Sequence, residues 1–410
     1  VIPAEFQAKN NFDRTETLGT VFLGMSMLCS RCHTHKYDPI THKEFFSFYS
    51  FFNNVKEDGI IKYGDLAPKP NFTIKKEDIQ NELSFVNLPD SISKVTLMVM
   101  KESEKLRKTY VLNRGSYDSP TDLVEPGTPK VVLPFDDTKY PKNRVGLAKW
   151  FFEDDNPLTS RVAVNRIWQQ FFGIGIVSTP DDFGSQGSKP TNPELLDWMA
   201  YTYQNTDKWN TKKFIKRIVM SSTYTQSSKI KSENLAVDPD NTYLAQYPRQ
   251  KLSAEMVRDN ALASSGMLVN KIGGPSVKPM QPDGLWDEVT GGGGGSLAFY
   301  VPDTGENLFR RSLYTFWKRT VPPPSMMIFD APTRDFCVAV RQKTSTPLQS
   351  LALMNDPQYL LAAEHLSNKI FEETKINRVE KIIKLYRSVT GRTPSDKELE
   401  KFEKYFEEVI

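Results

Sequence analysis

The chain has 410 residues, of which 39% are hydrophobic and 25% charged, as in ordinary soluble globular proteins. Its 53 basic and 50 acidic residues are interleaved and sum to a net charge of +3, so no basic stripe is present and we expect no nucleic-acid partner. No stretch approaches the roughly 18 consecutive apolar residues of a membrane-spanning helix, so we expect a chain that does not span a membrane.

Residues 1–55 are predicted to form two helices with a cysteine motif between them. Asp13 with Glu16 makes a capping-box pattern, which predicts a helix that begins there. Thr41 with Glu44 makes a second such pattern and opens an aromatic helix, whose rings bury either one broad planar group or a dense core. The aromatic residues are Phe45, Phe46, Phe48, Tyr49, Phe51 and Phe52. Since little chain precedes the first helix, we expect more protein upstream.

Residues 56–144 are predicted to be a small connector that contains β-strands, and residues 145–410 a larger helical domain. In the connector, turn residues separate short β-type runs, which are Val95–Met100, Lys108–Asn113 and Lys130–Leu133. In the C-terminal part, helix-start signals such as Asn156-Pro157 and Thr346-Pro347 recur. The fold class that we expect is therefore mainly α, with the glycine run at residues 291–295 as a flexible loop.

The cysteine motif consists of Cys29, Cys32 and His33, which have the C-x-x-C-H spacing of covalent c-type haem attachment. Two intervening residues place both thiols on one helical turn, where each can add to a vinyl group of the porphyrin. His33 then ligates the iron from the same side, and its other ring nitrogen is expected to donate to a backbone carbonyl or a carboxylate. The spacing predicts one covalent haem c, with His33 as the proximal iron ligand.

Two alternatives remain open at this motif. A C-x-x-C pair also begins zinc sites, and Cys29 and Cys32 with His35 or His42 make a plausible tetrahedral set. A redox-active thiol pair is the other alternative, although the βαβ setting of thioredoxin-like proteins is missing.

The sequence leaves the sixth ligand of the iron open. His35 is too close to His33 along the chain to reach the opposite face of a haem. The candidates for the distal position are therefore His42, His365 and Met25. A filled sixth position favours electron transfer, whereas an empty one favours catalysis.

Polar residues follow the motif directly. His35, Lys36, Tyr37 and Asp38 form a cluster in which a cation can meet haem propionates and a carboxylate can orient an imidazole. We therefore count His35, Lys36 and Tyr37 as candidate haem-contacting residues. The alternative interpretation of the same cluster is a solvated turn between two helices.

Three long stretches resemble the planctomycete cytochrome c-associated proteins, which are large exported proteins of unknown function found beside or fused to a cytochrome c domain. The first is residues 22–54, with the strings FLG, CSRCHTHKYDPI and FFNN. The second is residues 156–198, from NPLTSRV to PELLDW, and the third is residues 310–357, from RRSLY through PPP and FDAP to NDP. The first stretch looks like the C-terminal end of the domain that follows the cytochrome module.

The resemblance implies an exported, periplasmic protein that carries haem c in residues 1–55 and works in electron transfer. The partners that it implies are other cytochromes, or an upstream cytochrome domain of the same protein. The resemblance supplies no reaction, so enzyme activity stays open. One extension is a haem-c-dependent oxidoreductase that acts on an extracellular carbohydrate-derived substrate. In that case Trp286 and the glycine run, beside Arg310, are a candidate saccharide-binding floor. The alternative is a zinc-stapled structural or carbohydrate-binding module without redox activity.

Overall fold

The computed structural model describes residues 2–57, 69–85, 90–286, 299–335, 337–373 and 375–409. The predicted loop at residues 291–295 lies outside these ranges. Contacts divide the chain into two compact units, one of residues 1–73 and 96–250 (unit 1) and one of residues 74–95 and 251–410 (unit 2). The three segments predicted from the sequence, residues 1–55, 56–144 and 145–410, therefore stay a prediction.

Most of the described residues that have regular structure are helical, as the sequence predicts. The helices are α1 (Pro3–Leu18), α2 (His42–Asn53), α3 (Lys76–Glu82), α4 (Arg144–Phe151), α5 (Thr159–Phe172), α6 (Pro193–Tyr201), α7 (Thr211–Val219), α8 (Ser222–Thr225), α9 (Ser232–Val237), α10 (Ala254–Ser265), α11 (Pro324–Ile328), α12 (Pro347–Asn355), α13 (Pro357–Phe371), α14 (Arg378–Thr390) and α15 (Asp396–Val409).

The strands are short and pair two by two. They are β1 (Val55–Lys56), β2 (Asn71–Lys75), β3 (Lys94–Met98), β4 (Lys101–Glu102), β5 (Thr109–Leu112) and β6 (Pro120–Val124). The pairs are β1 with β4, β2 with β3, and β5 with β6. In the antiparallel pair β5–β6, Thr109 lies opposite Val124 and both are buried. The predicted strand at Lys130–Leu133 is wrong, because the chain turns there.

The two capping-box predictions have opposite outcomes. At α2 the pattern is real: the Glu44 amide donates to the Thr41 hydroxyl at 3.1 Å, and the Thr41 amide donates to the Glu44 carboxylate at 2.9 Å. The pattern at Asp13 is wrong as a helix start, because α1 already begins at Pro3 and runs through Asp13. Proline suits a first helical turn, where its missing N–H has no partner to lose.

The aromatic residues of α2 build a dense core in unit 1 rather than a slot for a planar group. All six are buried, and Phe45, Phe46 and Phe48 have no exposed surface. Phe48 meets Trp150 and Phe151 of α4 edge-on, with ring centroids 6.4 and 6.2 Å apart. Edge-to-face packing is a favourable geometry of aromatic pairs, so these ring contacts stabilise the core of unit 1.

Helix α5 ties the chain that leads into the cysteine motif to the rest of unit 1. Arg166 donates to the carbonyls of Thr20 at 2.7 Å and Val21 at 2.9 Å, just beyond the end of α1. The amide of Phe183 donates to the Gly24 carbonyl at 2.6 Å. These contacts hold residues 20–24 in place before the motif begins.

In unit 2, buried arginines cross-link an irregular segment. Arg258 of α10 donates to the carbonyls of Leu308 at 2.7 Å and Arg310 at 2.8 Å. Arg310 donates in turn to the Pro275 carbonyl at 3.1 Å. Trp286 is 4% exposed and therefore belongs to the buried residues of this unit. No helix in the described part of the chain has the length and apolar character needed to cross a membrane.

Candidate functional site

The cysteine motif forms a short 3-10 turn at Leu28–Arg31 in unit 1. The Ser30 amide donates to the Met27 carbonyl at 3.0 Å, and the Cys32 amide donates to the Cys29 carbonyl at 3.3 Å. Both thiols are exposed, whereas Ser30 has no exposed surface. The turn therefore points its two cysteines outward and its serine inward.

The residues between the cysteines anchor this turn to the core. The Arg31 guanidinium lies over the Phe12 ring of α1, 4.2 Å from its centroid. The Arg31 carbonyl accepts a hydrogen bond from Nε2 of His42 at 3.0 Å. Ser30 and Arg31 are only the two intervening residues of the C-x-x-C-H pattern, and no local pattern marks them as anchors.

The His33 imidazole is exposed, and its tautomer follows from its hydrogen bond. Nδ1 lies 2.7 Å from the Thr34 carbonyl oxygen, which can only accept, so Nδ1 carries the ring proton. The expected bond to a backbone carbonyl is thus present. A neutral imidazole whose Nδ1–H is held in this way presents the lone pair of Nε2, which is the form that ligates metals.

A loop of the β5–β6 hairpin lies against the motif. The Cys32 thiol donates to the Arg114 carbonyl at 3.4 Å, and Arg114 has a left-handed backbone with φ 50°. Gly115 has φ +72°, and a Cβ at this position would lie 3.0 Å from the Arg31 side chain. The close approach of this loop to Arg31 thus depends on a glycine.

The polar residues after the motif divide into structural and exposed members. Nδ1 of His35 accepts from the amide of Asp38 at 2.8 Å. The Asp38 carboxylate is buried and accepts from the amide of Ser185 at 2.7 Å and from its hydroxyl at 2.9 Å. Lys36 and Tyr37 are exposed, with the Lys36 ammonium 5.2 Å from the Tyr37 ring centroid. Of the predicted contact residues, these two remain available at the surface.

The zinc alternative has no preassembled donor set. Nδ1 of His35 and Nε2 of His42 already bond to the backbone. Within the described ranges, no group of three or more His, Cys, Asp or Glu side chains is arranged to hold a metal ion. The zinc alternative with Cys29 and Cys32 therefore stays a prediction.

The three candidates for the distal position lie in different surroundings. Met25 is 5% exposed and belongs to the core of unit 1. His42 is held by the Arg31 carbonyl at Nε2. His365 lies in unit 2, where its Nδ1 is 2.9 Å from the Ser265 carbonyl oxygen. The identity of a distal ligand therefore stays open.

Two families of unknown function match this chain, and both are typical of planctomycete proteins. Residues 1–57, which contain the motif, match the PSCyt2 family, described as a protein of unknown function (DUF1549). Residues 143–406 match the PSD1 family, described as a protein of unknown function (DUF1553). Neither the curated proteins nor the solved structures contain a significant match. Because the second match covers well over half of the 410 residues, the chain belongs to the PSD1 family.

Proposed function

We propose that this chain is an exported electron-transfer protein with one haem c, attached through Cys29 and Cys32 and ligated by Nε2 of His33. One observation carries the proposal: both thiols face outward from a single anchored turn, and the next residue presents an imidazole whose Nδ1 is already bonded to a carbonyl. A bound haem c supplies a one-electron carrier.

The residues at the turn fit such a group. Each thiol would add across a vinyl group, with a C–S bond formed, the thiol proton placed on the neighbouring carbon and no oxidant consumed. Ser30 and Arg31 keep the turn on the core while the two cysteines react. Lys36 is exposed three residues after His33, and its ammonium would supply a cation for a propionate.

Attachment has a consequence for the neighbouring loop. The Cys32 thiol donates a hydrogen bond to the Arg114 carbonyl, and a thioether has no proton to donate. This bond is therefore lost in the loaded protein, and residues 113–116 are where we expect attachment to change the structure.

The partners that we propose are other cytochromes, or a cytochrome domain of the same protein. We propose a periplasmic location, because haem c is attached and persists outside the cytoplasm. We limit the proposal to electron transfer, because Trp286 is buried and the glycine run that would complete the suggested saccharide floor lies outside the described residues.

The test is export of the chain from a host with a haem c attachment system, followed by a pyridine haemochrome spectrum, haem staining on a denaturing gel and a metal assay. We expect one haem per chain with thioether bands. Replacement of both cysteines, Cys29→Ala with Cys32→Ala, should abolish the stain, whereas the control Cys337→Ala, which removes an exposed thiol of unit 2, should retain it.

Two results would overturn the proposal. Stoichiometric zinc without thioether bands would establish the zinc alternative. A stain that survives the loss of both Cys29 and Cys32 would place the haem elsewhere.

A further inference from the structure

Helix α10 of unit 2 carries a buried guanidinium that donates to no carboxylate. Arg258 is 3% exposed, and four of its five N–H groups donate to neutral acceptors. These acceptors are the carbonyls of Leu308 and Arg310, the Ser312 hydroxyl and Oε1 of Gln358. Its ion pair among the described residues is with Asp259, which lies 3.8 Å away and already accepts from the Ser312 amide at 2.8 Å. A buried charge is normally paired, so Arg258 lacks a close anion.

A second buried guanidinium adds to this excess of positive charge. Arg310 is also 3% exposed, and it donates to the backbone carbonyls of Pro275 at 3.1 Å and Lys271 at 3.0 Å. The exposed side chain of Arg311 lies 4.0 Å from the same Asp259 carboxylate that pairs with Arg258. Three guanidinium groups in this part of unit 2 thus have one carboxylate among their ion pairs. Burial strengthens the interactions of such charges, so an added anion would be stabilised there.

Arg258 lines a cleft of unit 2 together with an unpaired hydroxyl. The cleft has about 260 Å³ of empty space, its open side included, and its closed part has room for about one water-sized group. Thr315 lines the same cleft and is 6% exposed, and its Oγ1 has no hydrogen-bond partner in the described part of the chain. The Thr315 amide donates to the Ser312 carbonyl at 3.1 Å, so one short turn holds both Thr315 and the hydroxyl that Arg258 contacts.

The rest of the lining is mainly apolar. Pro279, Met280 and Pro323 line the cleft with Tyr300, whose hydroxyl donates to the Pro279 carbonyl at 2.6 Å and is thereby occupied. Unpaired donors beside apolar side chains suit a ligand with one charged oxygen and a short hydrocarbon body. A neutral ligand of the same shape leaves the charge of Arg258 without an anion.

We propose that this cleft binds the carboxylate of a small organic acid. One carboxylate oxygen accepts from the remaining N–H of Arg258 and from the Thr315 hydroxyl, and the hydrocarbon part lies against the apolar lining. This site is separate from the cysteine motif, which belongs to unit 1, and it does not depend on the proposed haem.

Propionate is the probe, and propionamide, which has the same shape without the charge, is the matched control ligand. Thermal unfolding of the full chain measures binding, because a ligand of the folded state raises the melting temperature in proportion to its occupancy. The ionic strength is held constant with sodium chloride. We expect propionate to bind at least about tenfold more tightly than propionamide, since a hydrogen bond to a charged group is about twice as strong as a neutral one.

Two substitutions locate the site. Thr315→Val keeps the shape of the side chain and removes the hydroxyl, so it should weaken propionate binding by about tenfold. The control Thr320→Val, at an exposed threonine that does not line the cleft, should leave the binding unchanged. Gln358→Glu puts a carboxylate where Oε1 accepts from Arg258 at 2.7 Å. This variant should melt at a higher temperature without ligand and lose its response to propionate.

Each of three results contradicts the inference. Propionamide that raises the melting temperature as much as propionate means that charge is not recognised. Chloride that raises it equally means that the cleft takes any small anion. A propionate response that persists in both Thr315→Val and Gln358→Glu places the binding elsewhere. Thr315→Ser, which keeps a hydroxyl, should retain the binding, and it separates the loss of this hydroxyl from a general failure to fold.

Discussion

Asp38 fastens the loop after the cysteine motif to the turn at residues 182–185, and its removal gives a measurable loss of stability. The carboxylate of Asp38 is 5% exposed and accepts two hydrogen bonds from Ser185. Gly184 lies so close that an added Cβ would be 2.4 Å from a carboxylate oxygen. We expect Asp38→Ala to lose both bonds and this packing.

The magnitude follows from the two bonds. Hydrogen bonds to a charged group contribute roughly 1.5–3 kcal/mol each. Ser185 is exposed, so water replaces its lost partner in the variant and the lower end applies. We therefore expect Asp38→Ala to lower the free energy of unfolding by about 2–3 kcal/mol, which corresponds to a midpoint lower by about 5–10 °C in a unit of this size.

Calorimetry of thermal unfolding is the assay, with Asp137→Ala as the matched control. Asp137 is 55% exposed and pairs with Lys142 at the surface, so its loss should cost below about 0.5 kcal/mol. Ser185→Ala removes the hydroxyl alone and should show a coupling with Asp38→Ala of about 1 kcal/mol. If Asp38→Ala costs no more than Asp137→Ala, the loop is held by something other than these bonds.

Three further outcomes are expected in unit 1. The Arg217 guanidinium holds the pKa of Asp207 down to about 2, so this carboxylate stabilises the fold above about pH 4 and the benefit disappears as the pH falls toward 2. Asp207→Asn should accordingly lower the melting temperature at pH 7. The difference in melting temperature between the variant and the original chain should narrow in acid, and a difference that stays constant with pH contradicts the ion pair. Gly115 has φ +72° and lies against Arg31, so Gly115→Ala should lower the free energy of unfolding by about 1–2 kcal/mol. Urea unfolding measures this change, and an unchanged urea midpoint contradicts the expected backbone strain. Phe48→Ala should lower the free energy of unfolding by about 3–5 kcal/mol and weaken the near-ultraviolet circular dichroism signal. A loss of free energy below about 1 kcal/mol means that neighbouring core side chains fill the cavity.

Local signals predicted local structure well in this chain. Thr41 and Glu44 lie three residues apart and begin α2 as expected. The same spacing at Asp13 and Glu16 failed, because helix formation from Pro3 passes through these residues and leaves Asp13 without a free helix end to cap. A capping pattern thus predicts a helix start only where the preceding chain is not already helical.

The parts of the site that the sequence did not reveal depend on distant residues. Asp38 meets Ser185 across 147 positions, and the Cys32 thiol meets Arg114 across 82. Glu16 was predicted as the second member of a capping box, and it instead lies 3.9 Å from the Arg31 guanidinium, 15 positions further along the chain. No periodicity or spacing in one sequence encodes such pairs, whereas the cysteines and His33 are neighbours and their spacing was readable.

The contacts of Arg166 with Thr20 and Val21, and of Phe183 with Gly24, join residues that match two different families. The partners of Arg166 are main-chain carbonyls, so these contacts depend on the presence of the PSCyt2 portion rather than on which side chains it carries at these positions. A gene that kept the PSD1 portion and lost the PSCyt2 portion would leave a guanidinium without its two carbonyl acceptors. We expect the two portions to be inherited together.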